Sequence, residues 1–372
     1  MKKKILFTGG GTAGHVMPNL ALFPQLLAEG CELHYVGTKD GIERELIEGR
    51  AGITYHAIRS GKLRRYFDWK NFTDPFRVVA GVAEAGAVMR KVRPDVVFSK
   101  GGFVSVPVVL AARSHGVPVV THESDYTPGL ANRINARFAA KVCVTFEDTL
   151  VYAGNKGVHT GTPIRPELYL GKRAKGLGFL GFSGEKPVLL VMGGSLGAAA
   201  VNDAVRGALG ALTQSFDVAH LCGKDKLDAK LLCESCYRQF EFVGPELPDV
   251  FAATDVIVSR AGANAVFEFL ALAKPALLIP LPLSASRGDQ ILNAGYFARK
   301  GYSMVLEQEK LTPQTLPDAV NDLYDRRLSF VATMSGEALA DGTDEVLSVL
   351  RCALYESRRK KRASGKHGDL AE

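Results

Sequence analysis

The sequence predicts an α/β protein of two Rossmann-like domains facing across a cleft, and three observations carry that expectation. Short β-rich runs alternate with helical stretches along the chain, as parallel βαβ units require. The pattern also restarts halfway: "KPVLLVMGGSLGAAAVNDAV", residues 186–205, repeats the apolar strand, glycine-rich turn and helix of "ILFTGGGTAGHVMPNLAL", residues 5–22. Finally, 372 residues, 47% of them hydrophobic, suffice for two cores.

In the first half, a strand over 4–8 runs through Gly9-Gly10-Gly11 into a helix over 15–29. A strand over 32–36, a helix over 41–49 and strands near 95–98, 118–121 and 142–145 follow. Thr162-Pro163-Ile164 interrupts the regular pattern and marks the join. In the second half, a strand over 188–192 enters the turn Gly193-Gly194-Ser195, and further strands follow near 217–221, 240–243, 255–258 and 276–279.

The six cysteines, Cys31, Cys143, Cys222, Cys233, Cys236 and Cys352, show no framework spacing, which suits a reducing cytoplasm. Cys233 and Cys236 make one C-x-x-C with no second pair behind it, so they read as reduced thiols rather than a zinc site. Met1-Lys2-Lys3-Lys4 opens like a signal peptide, yet the apolar run after it ends at Phe7 and passes into glycine. No stretch reaches the roughly 18 apolar residues of a membrane span. The candidate at 269–285 is interrupted by Lys274, Pro275, Pro280 and Pro282. Of the net charge of +7, more than half comes from residues 358–372, where six Lys/Arg stand against Asp369 and Glu372. That tail is expected to be disordered, either as a solubilising end or as a phospholipid-binding one.

A glycine turn feeding a helix lets the backbone approach a ligand closely and turns free N–H groups toward an anion. The glycines at 9, 11 and 14 spell G-x-G-x-x-G, but NAD binding also needs an acid at the end of the second strand. That strand, Glu32-Leu33-His34-Tyr35-Val36, ends in Gly37-Thr38 with no acid at its tip, which argues against a dehydrogenase. "DVIVSRAGANAVFE", residues 255–268, offers a better ribose partner: a strand, a turn at 260–263 and a helix carrying Glu268. A carboxylate there accepts from both ribose hydroxyls while nearby amides face phosphate; the alternative is a helix-surface glutamate. "SASRGDQILNA", residues 284–294, adds Asp289 and Gln290, the latter able to donate to and accept from sugar hydroxyls. Arg165 is placed to neutralise a diphosphate, or is a surface charge.

Seven stretches stand out in order along the chain: "GGGTAGHVMPNLAL", "FSKGGFVSVPVVLAA", "HESDYTPGLANR", "TGTPIR", "GGSLGAAAVN", "SRAGANAVFE" and "GDQILNA". In that order they resemble the MurG family of peptidoglycan glycosyltransferases, over about residues 4–294 with continuation to 350. The resemblance implies the GT-B glycosyltransferase fold, with an acceptor- and membrane-facing domain over 1–163 and a UDP-sugar-binding domain over 164–345. Residues 346–372 are then a C-terminal helix returning toward the N-terminal domain plus the basic tail. It implies transfer of N-acetylglucosamine from UDP-N-acetylglucosamine to the 4-hydroxyl of the muramyl sugar of lipid I, with inversion. Lipid II and UDP are the products.

Position by position, the resemblance implies that Thr12, Ala13 and Gly14 lie in the first glycine loop and that His15 is a candidate general base, a role an imidazole fills near neutral pH. The alternative for His15 is a residue that helps to start the helix. Arg165 and Ser195 match contacts to the donor diphosphate, and Val243 a backbone contact to uracil. Ala263, Asn264, Ala265 and Glu268 match the nucleotide loop and ribose carboxylate, and Gln290 a contact to the donor sugar. Three positions depart from the family's pattern. Ala13 replaces a glycine, which matters only if its φ is positive. Asp125, in His122-Glu123-Ser124-Asp125, replaces an amide and becomes a rival base near the acceptor. Leu196 replaces a polar side chain.

"GKLRRYFDWKNFTDPFRV", residues 61–78, interleaves basic and aromatic side chains. By itself this reads as a half-buried helix and loop, an RNA surface or a peripheral membrane contact. The resemblance favours the last, with Arg64, Arg65, Phe67, Trp69, Lys70 and Phe72 meeting an anionic inner leaflet at the cytoplasmic face of the plasma membrane. No nucleic acid is expected as a partner. No D-x-D motif stands at a plausible site, so neither a metal nor a cofactor is expected. Two rival readings remain: a UDP-sugar 2-epimerase or other enzyme on the same scaffold, and a non-catalytic nucleotide-sugar-binding regulator.

Overall fold

The computed structural model describes residues 2–61, 70–194, 197–232 and 234–365, with backbone alone at 70–76, 362, 364 and 365. The chain divides into two compact units: residues 1–165 with 341–372, and residues 166–340. The joins therefore lie two residues after the expected 163/164 and five before the expected 345/346.

The first unit is built on seven parallel strands: β1 (Lys4–Thr8), β2 (Glu32–Thr38), β3 (Ile53–Ile58), β4 (Val96–Ser99), β5 (Val119–Glu123), β6 (Lys141–Val144) and β7 (Gly157–His159). Their order is β3-β2-β1-β4-β5-β6-β7, with Ile5 registered against Leu33 on one side and Val96 on the other. Helices α1 (Met17–Ala28), α2 (Ile42–Ile47), α3 (Lys70–Val92), α4 (Ser105–Ser114) and α5 (Leu130–Phe138) connect them. Strands covered on both faces read as continuous apolar runs, which is why Ile5-Leu6-Phe7 and Val96-Val97-Phe98 are fully buried. Period-two alternation sends Ile5 and Phe7 to one face and Leu6 to the other. On the first face they meet Leu22, Phe23 and Leu26 of α1. On the second, Leu6 meets Ala85 and Met89 of α3 and Val108 and Val109 of α4. Each such side chain contributes about 1.5–3 kcal/mol by leaving water.

The first face is completed from the far end of the sequence. The helix Thr343–Gly365 packs Val346, Leu347, Leu350, Ala353 and Leu354 into the same cluster as Phe7 and Leu22. Arg351 pairs with Glu29 at 2.5 Å and Lys361 with Asp95 at 2.8 Å. This corrects the expectation that disorder starts at 358: the helix carries the basic run on to Gly365 because its apolar face is already anchored and Asp95 receives Lys361. Residues 366–372 lie outside the described residues.

The second unit holds six parallel strands: β8 (Val188–Met192), β9 (Asp217–Leu221), β10 (Tyr237–Phe240), β11 (Val256–Ser259), β12 (Ala276–Leu278) and β13 (Ser303–Val305). Their order, β10-β9-β8-β11-β12-β13, repeats that of the first six strands of the other sheet. The strand expected near 240–243 is instead β10, which ends at Phe240, so Val243 sits in the loop beyond it. Among the described residues no helix is long and apolar enough to cross a membrane.

Candidate active site

In a doubly wound sheet the ligand crevice lies beyond the carboxyl ends of the strands where the order reverses. That point falls between β1 and β4 in the first unit and between β8 and β11 in the second. Four of the seven stretches singled out in the sequence span the loops that leave these strands, while the other three follow β5, β7 and β12.

In the first unit the β1 loop, Gly9 to Gly14, meets the β4 loop, Lys100 to Phe103. A Cβ on Gly102 would overlap the Gly10 carbonyl, so the two loops touch backbone to backbone. The β1 loop is held from below: Tyr35 donates to the Gly9 carbonyl at 2.7 Å, and Asn19 donates to the His15 carbonyl at 3.3 Å. Thr12 to His15 forms a single 3-10 turn rather than the start of α1, which begins at Met17 with Pro18 in its first turn. Ala13 is the first residue of that turn and is not among the residues of positive φ, so its methyl brings no backbone strain. The Thr12 hydroxyl lies 3.1 Å from His15 Nδ1 and fixes the ring at the crest of the loop. Thr12 is exposed, while Ala13, Gly14 and His15 are half-buried.

Beside this loop lies a polar network of which sequence reasoning assigned only Asp125. Lys100, 1% exposed at the end of β4, donates to His122 Nδ1 at 2.8 Å and to the Ser124 hydroxyl. His122 in turn donates from Nε2 to the Gly161 carbonyl at 2.9 Å, which sets its neutral tautomer. Burial and the adjacent Lys100 charge hold the His122 pKa well below its usual value. Burial also lowers Lys100, to about 8, against the opposing pull of Glu123 and Asp125. Glu123 is pushed above the ordinary carboxylate range by burial and by Asp125, although Asn132 and the Asp125 and Gly129 amides all donate to it. Asp125 is half-buried, its amide 2.9 Å from Glu123 Oε1. The first unit thus gathers a histidine, a lysine and a glutamate whose proton affinities are displaced from their ordinary values, with Asp125 beside them, an arrangement that suits acid–base chemistry. The available sequence signal was a lysine directly after a buried strand and directly before a glycine pair.

In the second unit the β11 loop, Arg260 to Gly262, leads into the helix Ala263–Ala271. Arg260 is 8% exposed and donates to the Ile279 and Pro280 carbonyls and, at 2.6 Å, to Gln308. Asn293 holds the Ala261 carbonyl at 3.1 Å. The turn is pinned from both sides, and it delivers a helix whose N-cap, Gly262, has no side chain to cap it and whose first turn has no acid. The amides of Ala263, Asn264 and Ala265 have no intrahelical acceptor, and the helix dipole adds partial positive charge there. Glu268, half-buried, follows one turn later on the same helix. Gln290, at the start of the helix Asp289–Arg299, accepts from the Leu281 amide at 3.0 Å. Its carbonyl is thereby engaged within the fold. The β8 loop is close-packed too: a Cβ on Gly197 would overlap the Cys222 carbonyl.

Of the remaining candidates, Arg165 is half-buried and closes the first unit rather than opening the second. Val243 is half-buried in its loop. Ser195 and Leu196 lie outside the described residues, as do Arg64, Arg65, Phe67 and Trp69. Lys70 and Phe72 fall in the first turn of α3, with their side chains outside the description. Among the described residues no group of three His, Cys, Asp or Glu side chains gathers to hold a metal.

Comparison with known proteins bears directly on this arrangement. The glycosyltransferase family 28 N-terminal domain matches residues 5–144, and the family 28 C-terminal domain matches residues 188–346. A relative from Clostridium tetani is 52% identical over 351 residues, 94% of this chain and 98% of that protein. One from Geobacillus thermodenitrificans is 51% identical over 352 residues, 94% of this chain and 99% of its own. Each carries the name UDP-N-acetylglucosamine–N-acetylmuramyl-(pentapeptide) pyrophosphoryl-undecaprenol N-acetylglucosamine transferase. The crystal structure of MurG from Acinetobacter baumannii superposes with a TM-score of 0.73 at 26% identity, covering 94% of this chain and 99% of that one. A glycosyltransferase of kitacinnamycin shares the fold, with a TM-score of 0.73 at 17% identity over 95% of this chain and 100% of its own. With two parallel sheets of matching order and both family domains in place, the chain belongs to glycosyltransferase family 28 and, within it, to the MurG family.

Proposed function

We propose that this protein is the hexosyltransferase that moves N-acetylglucosamine from UDP-N-acetylglucosamine to the muramyl 4-hydroxyl of lipid I, with inversion, forming lipid II and UDP in peptidoglycan synthesis. The observation that carries this reading is identity above 50% over 94% of the chain to relatives named for that transfer.

The geometry supports a division of labour. In the second unit, the uncapped amides of Ala263 to Ala265 suit the donor diphosphate, and Glu268 suits the ribose hydroxyls. Gln290 donates to the sugar, the Val243 backbone meets the uracil, and Ser195 and Arg165 add diphosphate contacts. Stabilising the negative charge that grows on departing UDP lowers the barrier without a metal. In the first unit, His15 or Asp125 takes the proton of the attacking hydroxyl, with Thr12 orienting His15 through Nδ1. Thr12, Ala13 and Gly14 bound the acceptor.

Lipid I resides in a bilayer, so the enzyme works as a peripheral protein at the cytoplasmic face of the plasma membrane. Residues 61–78, with Arg64, Arg65, Phe67, Trp69, Lys70 and Phe72, are the proposed contact with anionic lipid.

The test is incubation of purified protein with labelled UDP-N-acetylglucosamine, with and without a lipid I analogue, measuring UDP and labelled lipid together. Acceptor-dependent formation of both in equal amounts is expected. Donor consumption without acceptor favours an epimerase, and tight donor binding with no turnover favours a regulator.

A further inference from the structure

The first glycine turn contains a carboxylate of its own. Glu43, in α2, is 0% exposed, and its two oxygens bridge the two places where a dinucleotide-binding sheet grips its ligand. Oε2 accepts from the Gly11 amide at 3.1 Å, on the glycine turn itself. Oε1 accepts from the Thr38 amide at 2.9 Å and from the Thr38 hydroxyl at 2.6 Å, at the tip of β2. All three partners are donors, as an acceptor-only carboxylate requires. Among the described residues it makes no ion pair, so donors alone hold it.

Glycines in the β1 loop, in β2 and at the N-cap of α2 leave room for it. A Cβ on Gly10, Gly37 or Gly41 would overlap the Glu43 side chain. Gly11 itself has φ +86°, a conformation that glycine adopts without strain and that turns its amide inward to the carboxylate. Tyr55 closes the pocket by donating to the Thr38 carbonyl at 2.6 Å. The residue after Gly11 is Thr12, whose hydroxyl meets His15. A line of direct contacts therefore runs from Glu43 through Gly11 and Thr12 to the imidazole.

We propose that Glu43 is the built-in anion of the first glycine turn, a positioning and specificity-determining residue that takes the donors such a turn otherwise offers to a phosphate or ribose. It has two effects. It denies the first sheet a nucleotide, because an incoming phosphate meets a carboxylate where it needs amides. It also fixes the turn in the one shape that sets Thr12 against His15. The second effect rests on the reading that His15 meets the acceptor; the first does not.

The test uses the full-length protein with Glu43→Ala and Glu43→Gln. Glu43→Ala opens a carboxylate-sized space lined by Gly10, Gly37, Gly41 and Thr38, and formate fits it. In Glu43→Ala, kcat is expected to fall about tenfold or more while the donor KM stays put, as loss of a buried hydrogen-bond acceptor predicts. Tens of millimolar formate should restore most of it, and chloride at equal ionic strength should not. Carbon-13 formate should bind Glu43→Ala and not the parent protein, a readout that needs no turnover and so stands apart from the acceptor reading. Glu43→Gln keeps the space filled but points an NH2 at a donor, so it should lose kcat with no response to formate. Wild-type kcat in folded Glu43→Gln overturns the proposal, as does a folded Glu43→Ala that neither binds nor responds to formate. If the parent protein itself transfers no sugar, the acceptor reading fails and formate binding alone decides the role of Glu43.

Discussion

The two sheets share a strand order and a glycine turn after the leading strand, yet the chemistry at their carboxyl ends differs. Around the β1 and β4 loops of the first unit stand Glu43, Lys100, His122, Glu123 and Asp125, most of them buried and ionisable. Around the β11 loop of the second, buried Arg260 directs its guanidinium to two carbonyls and Gln308, and the helix that this loop leads into starts with no acid in its first turn. The buried histidine there, His220, is held by the neutral partners Tyr237 and Asn202 at 2.8 and 3.0 Å. The contrast teaches that one topology serves two tasks according to what fills its turns. Ionisable side chains suit moving a proton, whereas the N-terminal end of a helix suits a phosphate that already carries charge.

Substitutions that touch only one end sharpen this contrast most. Replacing whichever of His15 and Asp125 is the base by alanine should lower kcat by about 10²–10⁴-fold and leave the donor KM unchanged. Glu268→Ala should do the reverse, raising the donor KM roughly tenfold to a hundredfold as a charge-assisted hydrogen bond is lost. Steady-state kinetics with each substrate varied in turn separates the two. A His15 or Asp125 variant that weakened the donor, or a Glu268 variant that slowed only kcat, would erase the division of labour.

A smaller effect is expected at Lys100. Its ammonium holds His122 and Ser124, and burial lowers its pKa to about 8. The charged form predominates below that value, so the rate should fall as pH rises through it. Lys100→Met should lower kcat about tenfold, and the alkaline fall should disappear from the pH–rate profile. If the fall survives unchanged in Lys100→Met, another group is its source.

The smallest effect concerns stability in acid, where the second unit is the more exposed of the two to a simple test. Burial pulls the His220 pKa from 6.5 down to about 3. The unfolded chain therefore takes up a proton near pH 6.5 that the folded chain refuses, and stability is lost as pH falls from 6.5 toward 3. On the order of 2 kcal/mol should be gone by about pH 5 from this residue. His220→Gln should flatten the acid limb of Tm against pH, whatever it does to Tm at neutral pH. An unchanged slope would show that His220 is not the group being titrated.

Much of the fold was legible because strands buried on both faces announce themselves as apolar runs between glycines. β3 was not, since Ile53-Thr54-Tyr55-His56-Ala57-Ile58 is a half-exposed strand near the sheet edge with little apolar continuity. The glycine turns were readable because local sequence builds them, whereas the separate turn at Ala13–His15 was merged with the helix that follows it. Glu43 was not readable. The sequence shows no acid at the tip of β2, and only the fold reveals that the next helix returns one there, buried and turned inward. Lys100 escaped for the same reason: its partners are 22 and 24 residues away. The basic run at 358–362 looked solvated because charge density was weighed without the apolar face that precedes it on the same helix.

That helix has a bearing on how the protein is made. Val346, Leu347, Leu350 and Leu354 cover a face of the sheet whose strands are translated first. A ribosome therefore releases the first unit's β1 and β2 long before the segment that seals them, and the second unit is synthesised in between. Until residues 343–354 emerge, Phe7, Leu22 and Leu26 lack part of their cover, a state that invites chaperone capture or aggregation. A premature stop near residue 340 leaves every candidate active-site residue in place, yet its product is a nascent chain that cannot finish its own first domain.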